Sequence, residues 1–362
     1  KFKERIPAAY IMGHVQLGRL SILAGVRFER TKTEGEGALQ AITPEERARR
    51  AAFVGTLTDA EIRRRSLAEF GGRQVRTGDY QSVLPGVHFK FALSPRLITR
   101  LSYATNIGRP GIGQLIPRTN VNFDNQTITS SNPSLKPQKA DNFDLSAEYY
   151  FEPAGTVSIG VFQKEIKNFI FTSGGATVPA GQDNGFGGDY AGYSLTTQYN
   201  GGSAKVRGLE LNYSQQFTFL PGIFGGLGAY ANYTRMESAG NYGAGNAIAV
   251  APNPKGKVAG FNPETANFGA SYIRNKVTVR LQYNHRARYL TTYNAVDSQL
   301  VYRIRRDTLD VKTLYQLSRR FSVYLDVNNV LGEFETGSDR GNRPSQRRVL
   351  TPGFFAGVNA RL

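Results

Sequence analysis

The stretch Leu20-Ser21-Ile22-Leu23-Ala24-Gly25-Val26-Arg27-Phe28-Glu29 decides the fold. Taken in steps of two, Leu20, Ile22, Ala24, Val26 and Phe28 make an apolar row. Ser21, Leu23, Gly25, Arg27 and Glu29 make a mostly polar one. Successive side chains of a strand leave opposite faces, so a period of two marks a β-strand with one greasy side. The split recurs in Phe143, Leu145, Ala147, Tyr149 and Phe151, interleaved with Asp144, Ser146, Glu148 and Tyr150.

Working outward, thirteen such segments are expected, at residues 4–16, 20–30, 83–93, 97–107, 140–151, 156–171, 203–217, 225–238, 264–273, 277–286, 306–316, 321–330 and 348–362. Short connections (17–19, 94–96, 152–155, 218–224, 274–276 and 317–320) alternate with long ones. Long structureless loops argue against a soluble domain. In a transmembrane antiparallel β-barrel the long loops face outward and the short turns face the periplasm. From the second strand to the penultimate one, the apolar row carries no ionisable charge. The opposite row carries Arg27, Glu29, Lys90, Arg100, Asp144, Glu148, Glu210, Arg280, Asp310, Lys312 and Asp326, and Arg361 continues it in the last. A Lys or Arg facing lipid at mid-bilayer costs about 2–4 kcal/mol, which explains the exclusion. In the first strand two rows compete: Ala8, Tyr10 and Met12 against Ile11, Val15 and Leu17.

Aromatic residues gather near both strand ends: Tyr149, Phe151, Phe217, Tyr272 and Phe321 by short turns, Phe28, Tyr103, Tyr233 and Tyr283 by long loops. Such belts suit the two headgroup layers. The chain has 362 residues, 40 Gly, 19 Tyr, 22 Phe and no Cys. That excludes a disulfide framework and thiolate-held metal. A mean hydropathy of −0.38, with no 18-residue apolar run, excludes a membrane-spanning helix but not a barrel. The net charge of +17 fits solubility or contact with lipopolysaccharide phosphates first, and attraction of an anionic ligand second; no nucleic-acid-reading motif accompanies it. Within the long extracellular loop expected at 31–82, Thr43-Pro44-Glu45-Glu46 and Thr58-Asp59-Ala60-Glu61 are capping boxes. They predict two short helices, the second stopped by Gly71-Gly72.

If the last strand, with its row Phe354, Ala356, Val358, Ala360 and Leu362, descends to the periplasm, so does the first. Thirteen strands cannot close a bacterial barrel with both termini on one side, so residues 1–362 are expected to form the C-terminal portion of a longer one.

The segments Ile107-Gly108-Arg109-Pro110, Asn132-Pro133-Ser134-Leu135-Lys136-Pro137 and Asn142 to Glu148 resemble the TonB-dependent outer-membrane receptors. Val161 to Ile170, Val206-Arg207-Gly208-Leu209-Glu210 and Asp326-Val327-Asn328-Asn329-Val330-Leu331 resemble later strands of that family. Gln138 stands where the family usually has Glu, and Leu362 where it usually has an aromatic residue. The resemblance implies a 22-stranded barrel with about 13 strands here. It also implies a plug domain outside this chain that contacts a TonB-type energy-coupling complex.

No catalytic constellation appears: His14, His88 and His285 are far apart, and Glu148, Glu210 and Asp326 are expected to bond neighbouring strands or the plug. Neither an enzyme activity, a cofactor nor a metal site is expected. The expected function is active import of a scarce nutrient, with a ferric siderophore-type chelate, cobalamin, a saccharide or a peptide all open. The expected location is the bacterial outer membrane, among its lipid and lipopolysaccharide. The alternatives are a passive porin and a soluble all-β protein that binds or cleaves glycans. Basic and aromatic loop residues supply the candidate ligand contacts: Arg118, Tyr190, Tyr193, Tyr242, Arg288 and Tyr289.

Overall fold

A computed structural model describes residues 1–40, 42–182, 184–242, 255–293 and 297–361. One antiparallel sheet runs the length of the chain, each strand hydrogen-bonded to the next. Its path is Phe2–Arg5 and Ala8–Leu17 (both against the same neighbour), Leu20–Leu39, Gly72–Ser94, Leu97–Gly108, Gln138–Phe151 and Gly155–Lys167. It continues through Ser203–Gln216, Leu227–Asn241, Glu264–Arg274, Val277–Arg286, Arg306–Gln316, Phe321–Asn328 and Gly353–Ala360. Lys255–Gly256 adds a short piece beside Leu227–Asn241. Among the described residues the two ends of the path do not pair with each other, so the sheet is open.

Residues directly opposite in an antiparallel pair share a face. The register therefore settles which rows align across strands. Leu101, Leu145, Val161 and Leu209 form one rung across four strands; Tyr272 with Val279 and Val311 with Val327 continue the same face. Arg100, Ser146, Gly160 and Glu210 form a rung of the other face, as do Arg280, Lys312 and Asp326. The first strand resolves in favour of Ile11, Val15 and Leu17, which meet Val26, Ile22 and Leu20. Tyr10 meets Arg27 on the polar side. In the last strand Phe354, Ala356 and Val358 meet Val327, Leu325 and Val323, as the row predicts. Leu362 lies outside the described residues.

Among the described residues no second layer covers the apolar face. Leu101 and Leu145 are each 51% exposed and Leu211 39%. A soluble sandwich would bury these positions, since apolar area removed from water is what drives folding. The buried clusters lie instead at the loop end. Ile128, Val178, Leu195 and Tyr199 form one; Phe169, Ala204, Tyr242, Val258 and Tyr293 form the other.

Two expectations are revised at that end. Strand pairing continues from Phe28↔Val83 without a break to Leu39↔Gly72, so the loop expected over 31–82 narrows to the helical segment between these strands. Backbone pairing does not need an apolar row, and Thr31-Lys32-Thr33-Glu34 offered none. The other long connections are also not structureless. Ile170–Thr177, Ser194–Asn200, Thr127–Ser130 and Thr119–Asn122 make a small sheet, and Tyr289–Thr292, Val301–Arg303, Glu335–Ser338 and Pro344–Arg348 make another.

The helices form where the caps predict, at Pro44–Ala51 and Asp59–Phe70. Thr43 Oγ1 accepts from the Glu46 amide at 3.2 Å and Thr58 Oγ1 from the Glu61 amide at 3.3 Å. The glutamate side chains turn to arginines: Glu46 takes Arg49, Arg50 and Arg64, and Glu61 takes Arg49, Arg64 and Arg65. Gly71 ends the second helix in a right-handed conformation, its amide on the Leu67 carbonyl, and the strand starts at Gly72.

Candidate functional site

The polar face is knitted by its own charges. Glu29 is almost fully buried between Arg27 and Arg109, and Arg100 pairs with Glu148, which also accepts from Tyr150 at 2.7 Å. The Arg109-Pro110 motif thereby ties its loop to a strand 80 residues earlier. Other motif residues act similarly. Asn132 Nδ2 donates to the Gln198 carbonyl at 3.0 Å, and Gln138 Oε1 accepts from the Ile170 amide at 3.3 Å. Asn329 Nδ2 donates to the carbonyls of Glu333 and Leu350, and its amide donates to Asp310. These motifs hold the loop ends in place.

The loop after Arg109 lies flat on the sheet because two glycines permit it. A Cβ on Gly37 would sit 1.7 Å from the Pro117 carbonyl oxygen, and one on Gly35 would sit 2.6 Å from that of Leu115. Thr31, Thr33, Gly35 and Gly37 are accordingly buried on this face. Laid over them, the loop delivers Arg118 to the wall of a cavity of about 590 Å³.

Four pieces of chain distant in sequence build that cavity. Arg47 comes from the first helix, Arg76 from the strand beyond it, Arg118 from the flat loop, and Asp189 with Tyr190 from the connection before Ser194. Asn132 and Thr197 add neutral polar groups. Arg47 pairs with Asp189 across the opening, and Arg118 Nε donates to Asn120 Oδ1 at 3.3 Å. Three guanidinium groups thus face one carboxylate, an excess of positive charge in a walled space. Tyr190 has a positive φ of 59° and stacks edge-on against Phe186 at 5.8 Å. Its burial, then the Asp189 charge beside it, push its phenol pKa upward, so the ring presents a neutral hydroxyl.

Of the six expected contacts, Arg118 and Tyr190 line this cavity. Tyr193 sits behind it, its ring 5.5 Å from that of Tyr190. Arg288 and Tyr289 line a second cavity, of about 870 Å³, where the strand Leu227–Asn241 outruns its neighbour. There Arg288 donates to the carbonyls of Asp339 and Arg340 and lies 3.9 Å from the Tyr302 ring centroid, which braces the second small sheet. Tyr242 is 1% exposed, stacked on Tyr293 at 3.7 Å, and donates to the Lys257 carbonyl at 2.6 Å. Burial pushes its phenol up to about 12. Arg47, Arg76 and Asp189 were not among the expected contacts. No local pattern marks them, because Arg47 and Asp189 meet across 142 residues.

Among the described residues, no group of three or more His, Asp or Glu side chains could hold a metal ion, and no helix is long and apolar enough to cross a membrane.

A search of curated proteins finds no match. Solved structures do resemble the chain. The ferric-catecholate import receptor Fiu from E. coli aligns with a TM-score of 0.63 at 14% identity, over 99% of this chain and 45% of that one. The siderophore receptor PiuA from Acinetobacter baumannii gives 0.64 at 12% identity, over 99% and 43%. The copper transporter OprC gives 0.63 at 13% identity, over 99% and 48%. The chain therefore spans less than half the length of these neighbours, and at such identities the likeness is one of fold. The family model described as TonB dependent receptor-like, beta-barrel matches residues 1–330. With a single-faced antiparallel sheet and loops gathered at one end, the chain belongs to the TonB-dependent receptor β-barrel family.

Proposed function

We propose that this chain forms the C-terminal part of the barrel of an outer-membrane importer, which captures a scarce nutrient at its outer mouth and releases it inward through a TonB-coupled plug. In this reading the apolar face meets lipid and the polar face meets the lumen and the plug. Roughly 13 of 22 strands lie here, the number the resemblance implies. The chain performs no bond chemistry and needs no cofactor.

The observation that carries the reading is the cavity lined by Arg47, Arg76, Arg118, Asp189 and Tyr190, set among loops at one end of the sheet. Its surplus of guanidinium favours an anionic ligand among the open classes, since Arg forks match carboxylate and similar oxyanions. The names of the neighbours, a ferric-catecholate receptor and a copper transporter among them, support a metal-linked cargo.

The test is uptake by a strain that depends on the full-length receptor, with a panel of ferric chelates of graded charge. Uptake should need the TonB-type complex, and Arg76→Ala with Arg118→Ala should weaken it most for the most anionic chelate. Asp189→Asn should strengthen capture by freeing Arg47. Uptake that persists without energy coupling would instead identify a passive porin.

A further inference from the structure

The polar row of Arg280 and Lys312 finishes, toward the loops, in a group of arginines. Arg286 lies directly opposite Arg306, the last rung of that strand pair. Like charges so placed repel. The second small sheet adds Arg303 and Arg348 and a single carboxylate, Glu335, directly opposite Arg348. Glu335 lies 3.8 Å from Arg286, 4.0 Å from Arg303 and 3.7 Å from Arg348. These distances all exceed a hydrogen bond, so the carboxylate is shared among three guanidinium groups and grips none of them. Four positive charges stand around one negative charge.

The donors show the same mismatch. Arg286 Nε and Nη2 and Arg306 Nε are buried without a hydrogen-bond partner among the described residues. Unmet buried donors are costly, and folded proteins leave few of them. The neighbouring carboxylates are committed elsewhere. Asp307, on the alternate row, is held by His285 at 2.6 Å, Tyr283 at 2.9 Å and Arg305 at 3.2 Å. Asp310 accepts from the Asn329 amide at 2.7 Å and from Asn284 at 3.3 Å, and Asp339 from Arg343 at 2.7 Å. Glu333 acts electrostatically on Tyr283, on the alternate row.

We propose that Arg286, Arg303, Arg306 and Arg348 seat one resident inorganic oxyanion of the phosphate type, which fastens the second small sheet to the strands beneath it. The two oxygens of Glu335 bring no guanidinium to bonding distance. A tetrahedral anion presents four oxygens in different directions, and guanidinium forks take them in pairs. Arg286 and Arg306 belong to the main sheet and Arg303 and Arg348 to the small one, so the anion joins two sheets that share no strand pairing. The row of Arg286 lies opposite the apolar face, which rules out a lipid headgroup as the source. The proposal does not depend on what the receptor imports.

The test is hydrogen exchange of the full-length receptor in detergent, in phosphate and in chloride at equal ionic strength. At ten times its Kd, phosphate should slow exchange in the four strands of the small sheet about tenfold, since ligand bound only to the closed state protects by the factor one plus the ratio of its concentration to Kd. Arg306→Gln should abolish this response, yet in chloride it should exchange no faster than wild type, because it removes the repulsion opposite Arg286. An arginine that merely propped the sheet would show the reverse, with faster exchange in both salts and the phosphate response intact. Arg348→Gln, at a more exposed position, should raise the Kd for phosphate about fivefold. Heat-dependent gel migration confirms that both variants fold. Absence of slowing by phosphate, equal slowing in Arg306→Gln, an unchanged Kd in Arg348→Gln, or slowing by ferric citrate but not by phosphate would each overturn the resident anion.

Discussion

Leu211→Arg and Asn212→Arg differ by one position and should differ greatly in effect. Leu211 lies opposite Ile159 and Tyr233, in the middle of the apolar face; Asn212 lies opposite Ser158 and Asn232 and donates to Ser158 Oγ at 3.2 Å. A guanidinium at mid-bilayer costs about 2–4 kcal/mol, or about thirtyfold to nearly a thousandfold in the folding equilibrium. On the other face an Arg at 212 has Glu210 two residues away on the same side, with water or protein around it. Its net effect should stay within about 0.5 kcal/mol, like that of an ordinary polar substitution. The assay is refolding of the full-length protein into phospholipid vesicles, scored by the heat-dependent shift on a gel and by urea titration. Leu211→Arg should lower the folded fraction and the urea midpoint, and Asn212→Arg should leave both near wild type. Similar losses from both, or none from either, would refute the assignment of faces.

Other outcomes follow from the loop end. Gly37→Val places carbon atoms where the Pro117 carbonyl lies, so the flat loop must lift and take Arg118 with it. Ligand capture should fall at least tenfold, about 1.4 kcal/mol, while the barrel still folds in the gel-shift assay. In the helical hairpin, bonds from Arg50 to Glu46 and from Arg65 to Glu61 are the largest causes that hold these carboxyl pKa values below their usual range. Their contribution is complete above the unfolded value near 4.3 and is lost as pH falls through the lowered folded values. Hydrogen exchange across 44–70 should therefore rise on acidification below about pH 4, before the sheet loses protection. Tyr242→Phe removes the bond to the Lys257 carbonyl and should cost about 1 kcal/mol, whereas Tyr242→Ala should cost about 3–5 kcal/mol in the loop cluster. Protease sensitivity of residues 169–293 would report both.

The sheet was legible because lipid-type patterning repeats on every strand: one look at Leu20 to Phe28 predicts the partner rows, and the register obeys them. Where the strands leave that band, the pattern stops but the pairing does not, which is why Thr31 to Leu39 read as loop. The charge-free row was likewise a property of the band alone, since its continuation carries Arg30, Asp141, Arg207, Arg235 and Glu237. The helices announced themselves through Thr43 and Thr58, whose caps are local. The cavity did not. Arg118 and Tyr190 were reachable as basic or aromatic loop residues, yet Arg76 sits on a strand and Arg47 inside an arginine-rich helix. Nothing within ten residues of either says that they converge. Tyr242 had the composition of a contact residue and the position of a core one, a distinction that only packing reveals.

The helical hairpin has a mechanical consequence. Glu46, Glu61 and Glu69 brace it internally with Arg49, Arg50, Arg64 and Arg65, while Arg47 to Asp189 is its one ion pair with the rest of the chain among the described residues. A flap stiff within, and held besides its two chain ends by that exposed ion pair and a bond from Gln40 to Glu69 at its base, can swing as a unit without unravelling. Letting go costs about 0–1 kcal/mol, comparable to thermal energy, so a visiting anion that outbids Asp189 would find the door almost unlatched.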